Sequence, residues 1–300
     1  MADKPDAKTK PEAKAKPPNA PPKGGGIKPD IATLAGIGLA LAGILGGLIL
    51  EKGSIQDIAQ MTAAMIVLGG TFGAVLVTTP LPVFLRAMKS MRDVFLEQSS
   101  NPSETIETLI SFATQARKNG IVSLESEAAK ITEPYLRKAL NLAVDGTDLN
   151  ELRKMMETDI DLSEQAADAE AKVWEAAGGY SPTIGIIGAV MGLIQVMKHL
   201  DDIKEVGHGI AVAFVATVYG VAAANILFIP ASGKLRARIH HAKIVKEMVL
   251  EGVIGIVEGL NPTLIRMKLT AFNPEPEAPK KAKEAKPVKG QAPQAAPAGS

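Results

Sequence analysis

Four long apolar runs dominate the pattern of hydrophobic and polar positions along this chain. They cover about residues 31–50, 61–85, 181–197 and 209–230, and none of them contains Asp, Glu, Lys, Arg or His. Each run approaches or exceeds the ~20 residues that an α-helix needs to cross a hydrocarbon core of about 30 Å. The pattern therefore predicts four membrane-spanning helices.

The third run carries glycines that would share one face of a helix. Gly185, Gly188 and Gly192 recur three and four residues apart, and small residues on one face let membrane helices approach closely. Gly178-Gly179 precedes the run as a predicted hinge. Pro182 is predicted in the first helical turn, where its missing N–H has little cost.

Glycines four residues apart occur in three of the four runs, and in lipid such pairs favour close helix packing. The pairs are Gly43 with Gly47, Gly69 with Gly73, and Gly188 with Gly192. They predict a tight bundle that could also be an oligomer, although glycine-rich apolar runs produce this spacing by chance as well.

The connections between the runs are unequal. Loops of about ten residues join the first run to the second and the third to the fourth, whereas about ninety residues separate the second run from the third. Lys and Arg collect at the cytoplasmic ends of membrane helices. Here they follow the second and fourth runs: Arg86, Lys89, Arg92, Lys234, Arg236, Arg238, Lys243 and Lys246. The long segment and both termini are therefore expected in the cytoplasm.

The long segment between the second and third runs has a helical pattern of its own. One helix is predicted after Ser103, with a stop signal at Gly120, and others from about Ser123 and Asp148. The spacing at Asp148 resembles a capping box. Residues 148–175 hold nine acids and three bases, which form either a solvated face or a surface for a basic partner.

These patterns predict an all-α integral membrane protein with four transmembrane helices and a helical cytoplasmic domain inserted between helices two and three. The terminal segments are rich in Lys, Pro and Ala and cannot bury a core. A secretory signal is disfavoured, because the first run is long enough to span a membrane and no Ala-x-Ala site follows it. The predicted divisions are 1–29 (disordered tail), 30–85 (membrane helices one and two), 86–179 (cytoplasmic domain), 180–230 (membrane helices three and four), 231–272 (cytoplasmic C-terminal helices) and 273–300 (disordered tail).

Composition narrows the possible chemistry. A net charge of +1 gives no reason to expect nucleic acid, and the lack of Cys excludes disulfides, thiolate catalysis and Cys metal sites. The chain has no phosphate-binding loop or HExxH motif, so neither an enzyme, a cofactor nor a metal site is expected. Charged side chains within a membrane mark function, and the four runs have none. If this protein conducts an ion, another chain must supply the titrating carboxylate.

The polar groups that the runs offer are hydroxyls and amides. They belong to Thr33, Thr71, Thr78, Thr183, Gln195, Thr217, Tyr219 and Asn225. A threonine in a membrane helix commonly bonds its own backbone. Both roles, backbone bonding and a place on an ion path, stay open for each residue.

Distinctive motifs lie at residues 116–125, 178–194, 211–220, 225–235 and 258–262. They resemble those of the stator A-subunit family of the bacterial flagellar motor (MotA/PomA). The resemblance covers about residues 31–272, leaving only the two tails. The matching motifs are 178–194 (third helix), 211–220 and 225–235 (fourth helix), 116–125 (rotor contact) and 258–262 (C-terminal motif).

The resemblance implies a function. Five A-subunits are expected to surround two helices of a B-subunit (MotB/PomB-like), and ions are expected to cross the bacterial inner membrane along the A/B boundary. The ions bind and leave an Asp of the B-subunit, and this cycle turns the ring of A-subunits. The cytoplasmic domain passes the motion to the rotor switch protein (FliG-like), which drives flagellar rotation and cell motility.

The resemblance also assigns candidate residues. Pro182 matches the proline that couples ion binding to conformational change, and Pro230 matches the proline at the end of the fourth helix. Thr217 matches a hydroxyl near the ion path. Arg117 and Glu125 match the charged pair that faces the rotor. The alternatives are helix-end geometry for the prolines and helix-dipole complementation, about 0.3–1 kcal/mol each, for the charged pair.

Ala189, seven residues after Pro182, bears on the choice of ion. Sodium-type members of the family resembled here have Thr at this position. Sodium needs oxygen ligands to replace its water, and Ala189 offers none. The residue therefore favours protons as the transported ion, with sodium as the alternative.

Related ion-driven machines are the alternative function. The TolQ/ExbB group works by similar logic but has three membrane helices. The additional pair of runs at 31–50 and 61–85, joined by a short loop, favours the stator. A gliding or defence motor and a membrane scaffold without ion flux stay open as further alternatives.

Overall fold

The structure, a computed structural model, describes residues 27–98 and 102–272. The predicted tails up to residue 26 and from residue 273 lie outside the described residues. The described elements are β1 (Ile27–Pro29), α1 (Ile31–Leu50), α2 (Ile55–Ile58), α3 (Met61–Thr78), α4 (Leu81–Phe95), β2 (Leu96–Gln98), α5 (Pro102–Asn119), α6 (Glu125–Ala128), α7 (Pro134–Val144), α8 (Leu149–Lys198), α9 (Ile203–Val257) and α10 (Pro262–Thr270).

Four of these helices, α1, α3, α8 and α9, are long and apolar enough to cross a membrane. The prediction of a multi-pass, all-α membrane protein with a helical domain between its second and third membrane helices is confirmed. The bounds of α1 agree with the first apolar run, and the side chain of Asp30 caps its first turn.

The second apolar run is divided, so the predicted membrane helix up to residue 85 is too long. α3 ends at Thr78 and α4 begins at Leu81. Pro80 disfavours a helical conformation in the residue before it, and Thr79 is extended with φ −126° and ψ 130°. α3 also contains one π-helical turn, Met65–Gly69.

The third apolar run is the second half of a helix of 50 residues. α8 begins behind the predicted cap Asp148, whose carboxylate accepts two backbone N–H groups, and it continues to Lys198. The predicted hinge at Gly178-Gly179 is therefore wrong, and Pro182 lies inside the helix rather than in its first turn. Gly178 instead admits a close neighbour, since a Cβ there would lie 2.5 Å from the side chain of Ile229.

The fourth apolar run also continues past its predicted end. α9 runs to Val257 and contains a π-helical turn, Ala223–Phe228, directly before Pro230. A proline cannot donate the i→i−4 hydrogen bond, and in a membrane helix a local π adjustment can satisfy the backbone groups that a proline frees. Pro230 thus lies within a continuous helix, and helix-end geometry explains neither proline.

Glycines bring the backbones of α8 and α9 into contact. A Cβ on Gly192 would lie 2.7 Å from the carbonyl oxygen of Gly209, and one on Gly185 would lie 2.9 Å from that of Ala216. Real Cβ atoms essentially never come so close. The close-packing role predicted for the third run is confirmed, and the partner is the neighbouring helix of the same chain.

Helix α1 is not packed into the chain as α8 and α9 are, because none of its residues is buried. Leu39 and Leu50 are 77% and 85% exposed. A Cβ added to any glycine of the other two predicted pairs would meet no described atom within 4 Å: Gly43, Gly47, Gly69 and Gly73. The packing predicted for these pairs is not seen within the described chain. The apolar surface of α1 is left for lipid or for other chains.

The inserted domain has its own hydrophobic core. This core is formed by α5, α7, α10, the first turns of α8 and the last turns of α9. Leu109, Leu140 and Leu152 are fully buried in it. The helix predicted after Ser103 is α5, and its predicted stop, Gly120, has a positive φ of 81°. The sequence pattern missed α7, and the helix predicted near Ser123 is only the short α6 behind a 3₁₀ turn.

A short antiparallel ribbon precedes α1. β1 pairs with β2, and Lys28 stands opposite Glu97. Residues 27–29, predicted to belong to the disordered tail, are therefore paired. A strand of three residues is too short to show a periodic pattern, which is why the sequence did not reveal it.

Candidate functional site

The two candidate prolines mark irregular points of α8 and α9 beside the glycine contact. Pro182 is half-buried at the boundary between the helices, where a Cβ on Gly220 would lie 3.3 Å from its Cα. Pro230 is exposed and follows the π-helical turn of α9. Both helices therefore lose a backbone hydrogen bond donor near the same end of their apolar segments.

Ala189 and Thr217 flank a direct contact between α8 and α9. Their neighbours touch, since a Cβ on Gly188 would lie 2.8 Å from the Cβ of Ala216. Ala189 and Thr217 are both half-buried. The hydroxyl of Thr217 donates to the carbonyl of Ala213 at 3.3 Å, which leaves its oxygen free to accept a further hydrogen bond.

Four of the eight predicted polar candidates bond the backbone of their own helix. The hydroxyls of Thr78 and Thr183 donate to carbonyls three residues earlier, and the amide of Asn225 donates to one four residues earlier. Together with Thr217, these residues follow the local pattern of hydroxyls and amides in helices. Thr33 is different, because its hydroxyl accepts from Lys234 at 3.0 Å.

Three hydroxyls are buried without a hydrogen-bond partner among the described residues. They belong to Thr71 in α3, Ser181 in α8 and Ser232 in α9. Buried polar groups are nearly always paired with protein or with ordered water. Ser181 adjoins Pro182, and sequence reasoning missed it because a lone serine next to a proline usually indicates a helix start.

Tyr219 holds irregular backbone between α2 and α3. Its hydroxyl donates to the carbonyl of Ile58 and accepts from the N–H of Gln60 at 3.4 Å. Non-helical backbone near lipid depends on such internal partners. The sequence suggested this tyrosine only as one polar candidate among eight and gave no sign of its partner.

An aromatic cluster joins three of the membrane helices where they enter the inserted part of the chain. Trp174 stacks on Phe228 with ring centres 5.9 Å apart, and Phe72 meets both rings edge-on. The indole N–H of Trp174 donates to the carbonyl of Ala87 in α4 at 3.1 Å. α3, α4, α8 and α9 are thereby fixed to one another near the two prolines.

Arg117 and Glu125 lie on either side of a surface corner. Arg117 is in the last turn of α5 and Glu125 begins α6, and both are exposed without an ion pair in the described chain. The Gln115 amide donates to the carbonyl of Ser123 at 3.1 Å and braces the corner. Val122, 64% exposed, stands between the two charges. The positions suit a helix-dipole role and a contact surface equally well.

The acidic face of α8 meets a basic partner within its own chain. Glu170 pairs with Arg86 of α4, Asp159 with Lys138 of α7, and three more acids pair with α9: Glu164 with Lys243, and Asp168 and Glu175 with Arg236. These pairs are largely exposed and contribute little individually. The basic partners of these acids belong to the same chain, and the exposure of the pairs also agrees with the predicted solvated face.

Metal chemistry has no visible basis in the described part of the chain. Residues 27–98 and 102–272 contain no group of three or more His, Cys, Asp or Glu side chains placed to hold a metal ion. The arrangement is therefore one of packed helices, hydroxyls and two prolines.

Comparisons with known proteins agree over nearly all of the described chain. The MotA/TolQ/ExbB proton channel family matches residues 127–248, and the motility protein A N-terminal family matches residues 34–120. Motility protein A of Helicobacter pylori is 36% identical over 252 residues, which cover 84% of this chain and 98% of that protein.

Two solved structures are similar as well. MotAB of C. jejuni has a TM-score of 0.79 at 32% identity, covering 85% of this chain and 99% of that chain. The flagellar MotAB stator complex of Bacillus subtilis has a TM-score of 0.75 at 32% identity, covering 82% and 96%. This chain therefore belongs to the stator A-subunit (MotA/PomA) family, within the MotA/TolQ/ExbB group.

Proposed function

We propose that this chain is the A-subunit of a flagellar motor stator, which conducts ions with a B-subunit and converts their flow into torque for motility. The observation that carries the proposal is the continuity of α8 and α9. Each helix passes without a break from its apolar segment into the inserted domain. A change at the membrane end of such a rod moves its other end, because packed helices do not deform continuously.

The partner in this proposal is a B-subunit that brings the titrating carboxylate. The apolar segments of this chain hold no charged side chain, while the similar solved structures are MotAB complexes. Ile187, Met191 and Ile194 on α8 are each about half exposed in the single chain. This apolar face would meet the B-subunit helices, inside a proposed ring of five A-subunits whose contacts include α1.

The residues of the ion path in this proposal are Pro182, Ala189, Thr217 and Pro230. The free lone pair of Thr217 and the unpaired hydroxyl of Ser181 would bind water along the α8–α9 boundary. Ala189 offers no oxygen to a sodium ion, so the proposed ion is the proton, with sodium as the alternative. No enzymatic step and no cofactor belong to this function.

Arg117 and Glu125 form the proposed contact with a rotor switch protein of the FliG kind. Support comes from their exposure, their lack of ion pairs in the described chain and the apolar side chain of Val122 between them. The protein would reside in the bacterial inner membrane with both termini in the cytoplasm, as the basic residues after α3 and after the apolar segment of α9 favour.

Swimming of a strain without its own stators tests the proposal. The strain would express this chain with the candidate B-subunit, with and without sodium and with and without an ionophore that collapses the proton gradient. Swimming without sodium that stops with the ionophore is expected. Swimming that requires sodium would support the assignment as a stator subunit and contradict the proton as the transported ion. A correctly inserted complex that never supports swimming would favour a TolQ/ExbB-like or other non-flagellar relative.

A further inference from the structure

A buried charge stands at the start of the one membrane helix that buries nothing else. Asp30 is 6% exposed and is the only buried charged residue among those described. It directly precedes α1, which has no buried residue of its own. The core packing that fixes α8 and α9 therefore does not fix α1.

Two cations of α9 meet the Asp30 carboxylate. Lys234 forms an ion pair and hydrogen bond with it, and Nη2 of Arg238 lies 3.1 Å from the same oxygen. The two cations are four residues apart, so they project from one face of α9. The other carboxylate oxygen accepts the backbone N–H of Thr33 at 3.0 Å, which is an ordinary helix cap.

The same residues hold the ribbon of β1 and β2. Nη1 of Arg238 donates to the carbonyl of Leu96 at 2.8 Å, and the N–H of Asp30 donates to the carbonyl of Phe95 at 2.9 Å. Lys234 also donates to the hydroxyl of Thr33 in the first turn of α1. Asp30, Lys234 and Arg238, here named the Asp30 clasp, thus join the start of α1, the end of α4 and the segment of α9 beyond Pro230.

We propose that the Asp30 clasp positions α1 on α9, and that the charge of Asp30, rather than its capping bond, is what holds the helix there. Asn and Asp cap helices about equally well. Only the carboxylate can compensate the two cations, whose side chains are 30% and 28% exposed. Loss of a cation, in turn, leaves the buried carboxylate less compensated. Lys234 lies four residues beyond Pro230 on the same helix, so a displacement of α9 at this level reaches α1 through the clasp.

Disulfide trapping of the ribbon tests the proposal in the full chain in membranes. The chain contains no cysteine, so Lys28→Cys with Glu97→Cys creates a single pair at facing Cα positions. Paired strands bring such positions close enough for a disulfide. Because the ribbon leads directly into Asp30, its oxidation rate measures how firmly the start of α1 is held.

In this background, Asp30→Asn should lower the oxidation rate by about tenfold, the effect of losing a charged hydrogen bond. Lys234→Met should lower it similarly, Lys234→Arg should preserve it, and Asp30→Asn with Lys234→Met should be no slower than either change alone. The matched control is Glu175→Gln, which removes one of the two exposed ion pairs of Arg236 on the same turn of α9 and should leave the rate unchanged.

Two results would overturn the proposal. One is an unchanged oxidation rate with Asp30→Asn, which would mean that the helix cap and the ribbon, and not the charge, hold the start of α1. The other is full additivity of Asp30→Asn and Lys234→Met, which would mean that the two residues act separately. If Asp30→Asn does not accumulate in membranes, the pair Lys234→Met and Arg238→Met tests the clasp from its cationic side, and an unchanged rate there is equally decisive against it.

Discussion

At the scale of single residues, Asp30 combines burial with a strong preference for its charged form. The hydrogen bond from Lys234 and the backbone N–H of Thr33 lower the pKa of Asp30 from 3.8 to about 2, against the opposing effect of burial. A carboxyl group whose folded pKa is lowered stabilises the fold above its unfolded pKa and loses that effect as the pH falls through its folded pKa.

The pH dependence of stability follows from this sign. At every pH between 7 and about 4, the purified Asp30→Asn variant should have a lower thermal unfolding midpoint than the unchanged chain. The difference from the unchanged chain should then shrink as the pH falls toward about 2. A difference that stayed constant across this range would show that the charge of Asp30 is not the source of the stabilisation.

Tyr219 provides a second prediction at this scale. Tyr219→Phe removes the hydroxyl that serves the carbonyl of Ile58 and the N–H of Gln60, and an unpaired buried group costs about 1–3 kcal/mol. Amide hydrogen exchange at Gln60 should therefore become faster by tenfold or more. Tyr180→Phe is the matched control, because no hydrogen bond of its hydroxyl is seen in the described chain. Equal exchange in both variants would contradict the assigned role.

At the scale of elements, glycine has two different uses in the membrane helices. Gly192 lies against the backbone of α9, whereas Gly43 of α1 faces open space in the chain. Gly192→Ala should therefore separate α8 from α9 and lower the thermal unfolding midpoint by several degrees, as expected for an overpacking cost of about 1–3 kcal/mol.

Gly43→Ala is the matched control in a helix of the same kind. In the isolated chain it should be neutral or slightly stabilising, because Ala is the better helix former by about 1 kcal/mol. Equal destabilisation by both changes would mean that the contact between α8 and α9 is not the tight one described. If Gly43→Ala destabilised the assembled complex but not the isolated chain, the Gly43 face of α1 would lie against another chain.

The elements that the sequence predicted best are those with a long uniform pattern. The first apolar run correctly predicted both ends of α1, and the predicted cap at Asp148 marks the start of α8. The prolines were harder, because a proline ends an isolated helix but can be held inside one by packing, as Pro182 is beside Gly220. A sequence pattern contains no information on such a neighbour.

The candidate site was predictable in its residues and not in its contacts. Motifs singled out Pro182, Ala189 and Thr217, and the last two are sequence neighbours of Gly188 and Ala216, which pack against each other between α8 and α9. The Asp30 clasp could not be predicted, because Asp30 is more than 200 positions from Arg238 and Lys234 in the chain. Sequence alone assigned Lys234 and Arg238 to membrane orientation, which did not indicate a specific partner.

At the scale of the whole molecule, the proposed ion path and the proposed rotor contact lie in different parts of the fold. Arg117 is far in sequence from the α8–α9 boundary and belongs to a corner of the inserted domain. We predict that Arg117→Asp lowers swimming speed severalfold while ion uptake through the assembled complex stays unchanged. Arg137→Asp, at another exposed arginine without an ion pair in the described chain, should affect neither. Loss of ion uptake with Arg117→Asp would contradict the separation.

Ion uptake tests the central claim most directly. Cytoplasmic pH would be followed in cells that express this chain with its B-subunit, and in cells whose B-subunit has its membrane Asp replaced by Asn. Because the apolar segments of this chain contain no Asp, Glu, Lys, Arg or His, acidification is expected only when the B-subunit retains its Asp. Acidification by this chain alone, or an intact complex that never acidifies the cell and admits no sodium, would contradict the account.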